Sequence, residues 1–215
     1  MIHYQEINQL LETLEYDVVK DNKKVEYINI ESAFDIETTS HKIGDVKTAF
    51  MYVWQFGIGY GNPVYYGRTW EEFKDLLYKL DYFFDTNNNR RLVIYVHNLA
   101  YEFQFMRKHF QWENVFSISE RKPIRALTTG GIEFRDSYIL SGYSLANTAR
   151  NLAKHNVKKM EGDLDYDLIR THRTPLTDLE IGYCENDIQV VLAYINEQIE
   201  FSKGVDKMVL KFHLL

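Results

Sequence analysis

The 215-residue chain supports one full hydrophobic core rather than two independent domains. Its formal charge of -6 argues against nonspecific wrapping of duplex nucleic acid, where a basic surface carries the affinity, but leaves room for an acidic pocket that accepts phosphate through metal. The lone cysteine, Cys184, excludes an internal disulfide framework and a cysteine zinc cluster.

Residues 1–24 are polar and predict a short helix and a turn at Asp21-Asn-Lys-Lys24, an extension packed on the domain. No cleavable signal is evident, and the apolar stretches are too short and interrupted to cross a bilayer. Tyr27–Ile30, Ala33–Ile36, Phe50–Tyr60 and Val64–Tyr66 predict strands, with a turn at Gly61-Asn62-Pro63 and an antiparallel start to the sheet. Thr69-Trp-Glu-Glu72 fits a capping box opening a helix whose Phe73, Leu76, Leu77 and Leu80 recur at helical spacing. Asp85–Asn89 is polar and predicts a solvated loop.

Leu92–Val96 is a buried-looking strand running into His97-Asn98 and a helix to about Lys108. Val115–Ile118, Ile124–Ala126 and Ile132–Phe134 predict a meander, with Gly130-Gly131 as a hairpin turn. Leu145–Lys154 predicts a short helix, and Thr177-Asp-Leu-Glu180 a second capping box opening the longest helix, to about Phe201. Strands interleaved with helices make the fold class α/β, a central mixed sheet flanked by helices. The 16 tyrosines and 13 phenylalanines fit packed core rings first and a stacking platform second.

Two pairs of residues carry the chemistry. Asp35 and Glu37, in Phe34-Asp-Ile-Glu-Thr-Thr39, read as the end of a strand, where i and i+2 face the same way. Tyr183 and Asp187, in Tyr183-Cys-Glu-Asn-Asp187, read as mid-helix, where i and i+4 share a face. Asn98 and Glu102 are likewise four apart. Each alone also fits a bland role: a solvated acid, a core tyrosine, or Asn98 as a helix cap. Brought together, these acids suit two metal ions about 3.5–4 Å apart and a phosphodiester, and a phenol within about 3 Å orients the attacking water. Serine-hydrolase and Walker motifs are absent, Gly57-Ile-Gly59 lacks the rest of a dinucleotide fingerprint, and a triad from Ser137 and His155 rests on residue supply alone.

In order and spacing, Asp35–Thr39, His97–Phe103 and Tyr183–Asp187 resemble the three exonuclease motifs of family B DNA polymerases, above all the protein-primed bacteriophage-type enzymes. Asp136-Ser137 and Gly162-Asp-Leu-Asp-Tyr166 add to the likeness, which runs from about Ala33 to Ile199. The resemblance implies a ribonuclease H-like fold and 3′-to-5′ proofreading hydrolysis of single-stranded DNA with two Mg²⁺ or Mn²⁺ ions. It implies Asp35, Glu37, Glu102 and Asp187 as metal ligands and Tyr183 as the residue positioning water. Thr38, His97, Asn98, Tyr101, Phe105, Ser137 and Tyr166 would contact the 3′ end or assist the centre, although Phe105 equally fits the core.

Two positions depart from the family pattern. The family usually carries Asp where this chain has Glu102, whose extra methylene adds about 1.3 Å against a placement tolerance of roughly 0.5 Å. Glu161 stands where relatives carry lysine, leaving Lys158 or Lys159 to supply the charge. Residues 25–203 are then the exonuclease domain and 204–215 a tail or junction. A following polymerase domain and a terminal-protein primer are the implied partners, in the cytoplasm of a bacterium hosting a phage or mobile element. A noncatalytic nucleic-acid-binding or interaction domain and a ribonuclease are the alternative readings.

Overall fold

The computed structural model describes residues 1–160 and 168–203. The strands are β1 (Ile2–His3), β2 (Asp17–Lys20), β3 (Glu26–Asn29), β4 (Ser32–Ile43), β5 (Val46–Ile58), β6 (Tyr65–Gly67), β7 (Arg90–Val96), β8 (Trp112–Ser119), β9 (Lys122–Thr128) and β10 (Ile132–Asp136). The α-helices are α1 (Ile7–Leu11), α2 (Trp70–Phe84), α3 (Leu99–Met106), α4 (Ser137–Ser141), α5 (Leu145–Arg150) and α6 (Asp178–Lys203). No helix among the described residues is long and apolar enough to cross a membrane.

One mixed sheet runs β1-β6-β5-β4-β7-β10-β9-β8, with β2 and β3 added beside β7. Alternation along its strands builds a core on each face. Phe34 and Ile36 of β4 and Leu92, Ile94 and Val96 of β7 join Phe73, Leu76, Leu80 and Phe84 of α2, where Phe34 and Phe73 stack at 4.2 Å. Ala33, Val93 and Tyr95 point the other way, against Ile188, Val191, Leu192 and Ile195 of α6. Both predicted capping boxes form: Thr69 and Glu72 satisfy each other's backbone N–H groups, and Thr177 and Glu180 do the same, each such cap being worth about 1 kcal/mol.

Several expectations need correction. Asp35 and Glu37 are not at the end of their strand, since β4 runs to Ile43 and returns as β5 in a long hairpin. The N-terminal segment contributes β1 and β2 as well as a short helix. The helix expected to reach Lys154 stops at Arg150, because the Glu197 carboxylate takes the backbone N–H groups of Ala153, Lys154 and His155. The loop after α2 is not wholly solvated: Thr86 is buried, its hydroxyl 2.7 Å from the Gly130 carbonyl. At the predicted hairpin, Gly131 has φ +86°, and a Cβ there would sit 2.4 Å from the Asn87 carbonyl oxygen. Glu161 and the Gly162–Tyr166 segment lie outside the described residues, as does the 204–215 tail.

Candidate active site

Odd-numbered residues of β4 face α6, so Asp35 and Glu37 follow Ala33 onto that face. β4 runs parallel to β7 with Ala33 beside Tyr95, and β7 ends at Val96. The two acids therefore stand beyond the carboxyl end of their neighbour, where sheets of this kind open a crevice. A register shift between Glu37 and Thr38 leaves Tyr52 as an extra residue between Met51 and Val53, a bulge that bends the strand at the acids. The Arg68 guanidinium donates to the Tyr52 carbonyl at 2.7 Å and to the Thr171 and Thr174 carbonyls at 3.0 and 2.7 Å. Arg170, ion-paired with Glu180, lies over the Tyr52 ring. The sequence reading missed both arginines: nothing local marks a cation that braces a bulge.

The second acid comes from α3. Asn98 is exposed in the left-handed region with no capping bond from its side chain. Asp136, at the end of β10, does the capping instead, accepting from Leu99 N and Ile139 N at 2.9 Å each and so starting α3 and α4 together. This sets Glu102 in the first turn of α3, buried and near enough to Asp35 for each carboxyl to feel the other. The longer side chain thus reaches the pair on β4. On the outer side of α3, the Thr38 and Tyr101 hydroxyls meet at 2.5 Å, and Tyr101 stands half-exposed at 5.2 Å from the partly buried Phe105 ring. His97 Nδ1 lies 3.1 Å from Ser137 Oγ. Ser137 itself is buried, and burial pushes His97 down to about 4, leaving it neutral.

From α6, Asp187 is buried and Tyr183 sits one turn earlier. Lys159 joins them: its ammonium pairs with Asp187 and lies 3.6 Å from the centre of the Tyr183 ring. Asn186 grips the backbone around that lysine, accepting from Met160 N at 2.6 Å and donating to the Lys158 carbonyl at 2.9 Å. The Lys158 side chain is exposed. Tyr166 lies outside the described residues.

The acids repel one another in a setting that already disfavours charge. Burial, then the Asp187 charge, pushes Asp35 up to about 7. Burial, then Asp35 and Asp187, pushes Glu37 up to about 8. Glu102 is held well above the carboxylate range by burial and then by Asp35, and burial raises Asp187 against the pull of Lys159. Among the described residues no three His, Cys, Asp or Glu side chains stand as a ready-made metal ligand set. The donors nevertheless fit a hard divalent ion, being carboxylate oxygens throughout. One of them, Glu102 Oε2, is buried with no hydrogen-bond partner in the protein. A cavity of about 600 Å³ lies elsewhere, between Leu14, Tyr16, Tyr60 and Asn196.

The sequence matches no protein-family model and no curated protein. Among solved structures, the chain is similar to Phi29 DNA polymerase in its ternary complex with primer-template DNA and incoming nucleotides, with a TM-score of 0.62 and 19% identity. It is also similar to Phi29 DNA polymerase complexed with single-stranded DNA, with a TM-score of 0.61 and 20% identity. Each match covers 83% of this chain and 32% of the other, so the chain spans about a third of the length of those polymerases. The mixed sheet flanked by helices is thus a ribonuclease H-like α/β fold.

Proposed function

We propose that this chain is a metal-dependent 3′-to-5′ exonuclease acting on single-stranded DNA, with residues 25–203 as the catalytic unit and residues 1–24 packed on it. The observation that carries the reading is the convergence of Asp35 and Glu37, Glu102, and Tyr183 and Asp187 from three distant segments, their acids close enough to raise one another. Asp35, Glu37, Glu102 and Asp187 would hold two Mg²⁺ or Mn²⁺ ions. When bound, such ions lower the pKa of water and neutralise charge on the phosphate.

The chain's own groups supply positioning. The Tyr183 hydroxyl orients the attacking water, whose oxygen bonds to the terminal phosphorus as the bond to the preceding O3′ breaks. That oxygen leaves with a proton, and a nucleoside 5′-monophosphate is released. Thr38 and Tyr101, tied at 2.5 Å, and the neighbouring Phe105 ring offer a stacking floor for the 3′ nucleotide. The His97–Ser137 bond fixes the corner from which Asn98 extends to solvent, and Lys158 supplies positive charge for the strand. Tyr166 is assigned here by resemblance alone. So are a C-terminal polymerase domain beyond residues 204–215, a terminal-protein primer and a phage-type setting in the bacterial cytoplasm.

A noncatalytic nucleic-acid-binding domain is the second reading, favoured by the lysine already seated on Asp187. End-labelled single-stranded DNA with Mg²⁺ or Mn²⁺ separates the two. Stepwise shortening from the 3′ end is expected, lost in Asp35→Ala and Asp187→Ala variants that still fold. Binding without shortening supports the second reading, and RNA digested in parallel decides the substrate.

A further inference from the structure

We propose that Lys159 is the resident counter-cation of the acid pocket, held there by Asn186, and that a divalent ion can occupy the pocket only by displacing it. The inference rests on the reading of this pocket as a metal site.

Lys159 does not behave as an incidental surface lysine. Its side chain is only 14% exposed, against 46% for Lys154 on the same segment. Its ammonium pairs with Asp187 and covers the face of Tyr183, so that one cation addresses both members of the α6 pair. Its charge also favours the ionised forms of Asp35 and Glu37, which makes it the shared counter-charge for the α6 and β4 acids.

The backbone holds it there. Asn186 is next to Asp187 in sequence, and its amide satisfies one backbone group on each side of Lys159. Further up α6, Glu197 takes three consecutive backbone N–H groups at Ala153, Lys154 and His155. Residues 153–160 therefore run along α6 as a strap pinned at both ends. An ammonium and a divalent ion both seek the Asp187 oxygens, and like charges cannot share them at contact distance. Lys159 thus has two arrangements: on Asp187 when no metal is present, and withdrawn, free to meet a phosphate oxygen, when metal and DNA arrive. Asn186 is a positioning residue for that exchange.

The test reads metal binding without DNA or turnover. Free Mn²⁺ is followed by electron paramagnetic resonance during titration of wild type, Lys159→Met, Lys159→Arg and Asn186→Ala. Lys159→Met is expected to bind Mn²⁺ about tenfold more tightly, the scale of one charge-assisted hydrogen bond no longer competing. Asn186→Ala is expected to shift affinity the same way by about threefold, since it loosens the lysine without removing it. Lys159→Arg, which keeps the charge, stays near wild type. A lysine with only a structural role would weaken binding when removed, so unchanged or weaker Mn²⁺ binding by Lys159→Met overturns the proposal. So does an absence of binding in wild type and Lys159→Met alike. The exonuclease reading is judged separately, by whether wild type shortens end-labelled DNA.

Discussion

Gly57 sets how closely α6 approaches the sheet, and so where Asp187 stands. It lies on β5 opposite Ala33, and a Cβ there would sit 2.6 Å from Ile188 Cγ2 and 2.8 Å from Leu192 Cδ1. Carbon atoms pack at about 3.8 Å, so Gly57→Ala requires a retreat of roughly 1 Å. Leu192 can swing its end away. Ile188 is β-branched and stiff at χ1, so the helix must move there, and Asp187 is the preceding residue. A shift of that size is about twice the roughly 0.5 Å placement tolerance of a catalytic group. Overpacking of this kind costs about 1–3 kcal/mol, and a 1 Å misplacement costs about a hundredfold in rate. Urea unfolding and cleavage of end-labelled single-stranded DNA per folded molecule read the two effects. Gly131→Ala is the control: it meets the Asn87 backbone at the other end of the sheet and should lower stability with cleavage per folded molecule near wild type. A Gly57→Ala protein that is destabilised but cleaves at the wild-type rate would refute the reasoning, because Ile188 would then have repacked without moving the helix.

The raised acids bind protons in the folded state that the unfolded chain, with carboxyl values of about 4, has already released. Their contribution to stability is therefore full below about pH 4 and is lost as pH rises through the folded values of about 7 for Asp35 and about 8 for Glu37. The melting temperature of the metal-free protein should fall between about pH 4 and about pH 8 and level off above that, and Asp35→Asn should flatten that slope; a parallel slope in the variant contradicts the assignment. Tyr183→Phe should slow cleavage roughly a hundredfold, the scale of one lost positioning hydroxyl, while Mn²⁺ affinity stays at the wild-type value. At Glu197, burial pushes the carboxyl up and the three backbone N–H groups more than reverse it. Glu197→Ala should cost about 2 kcal/mol and speed amide exchange at Ala153, Lys154 and His155, whereas unchanged exchange would show that the strap is held elsewhere.

What could be read from the sequence was what local rules govern. The i, i+2 and i, i+4 spacings put Asp35 with Glu37 and Tyr183 with Asp187 on common faces, and Thr69 and Thr177 announced their helices through partners three residues away. The opposite cases depend on distant residues. β4 outruns its apolar stretch because residues 38–43 pair with the returning β5. α5 ends early because its competitor, Glu197, lies more than forty residues on. Asn98 looked like a cap because the residue that caps α3 arrives on β10. Lys158 and Lys159 were indistinguishable by type, and only the Asn186 grip on the backbone between them assigns one to solvent and the other to the acids.

Cys184, one residue after Tyr183, packs beneath Tyr52 and Val53, and burial, then the charges of Glu37, Asp35 and Asp187, holds its thiol well above the usual range. Alkylating reagents should therefore pass over the native protein. A cysteine introduced at exposed Lys42, on the β4–β5 hairpin, would be the single reactive point, ready for a fluorophore or spin label with the natural thiol left in place. Cys184 then becomes a clock: the slow rate at which it is labelled counts how often α6 lifts off the sheet.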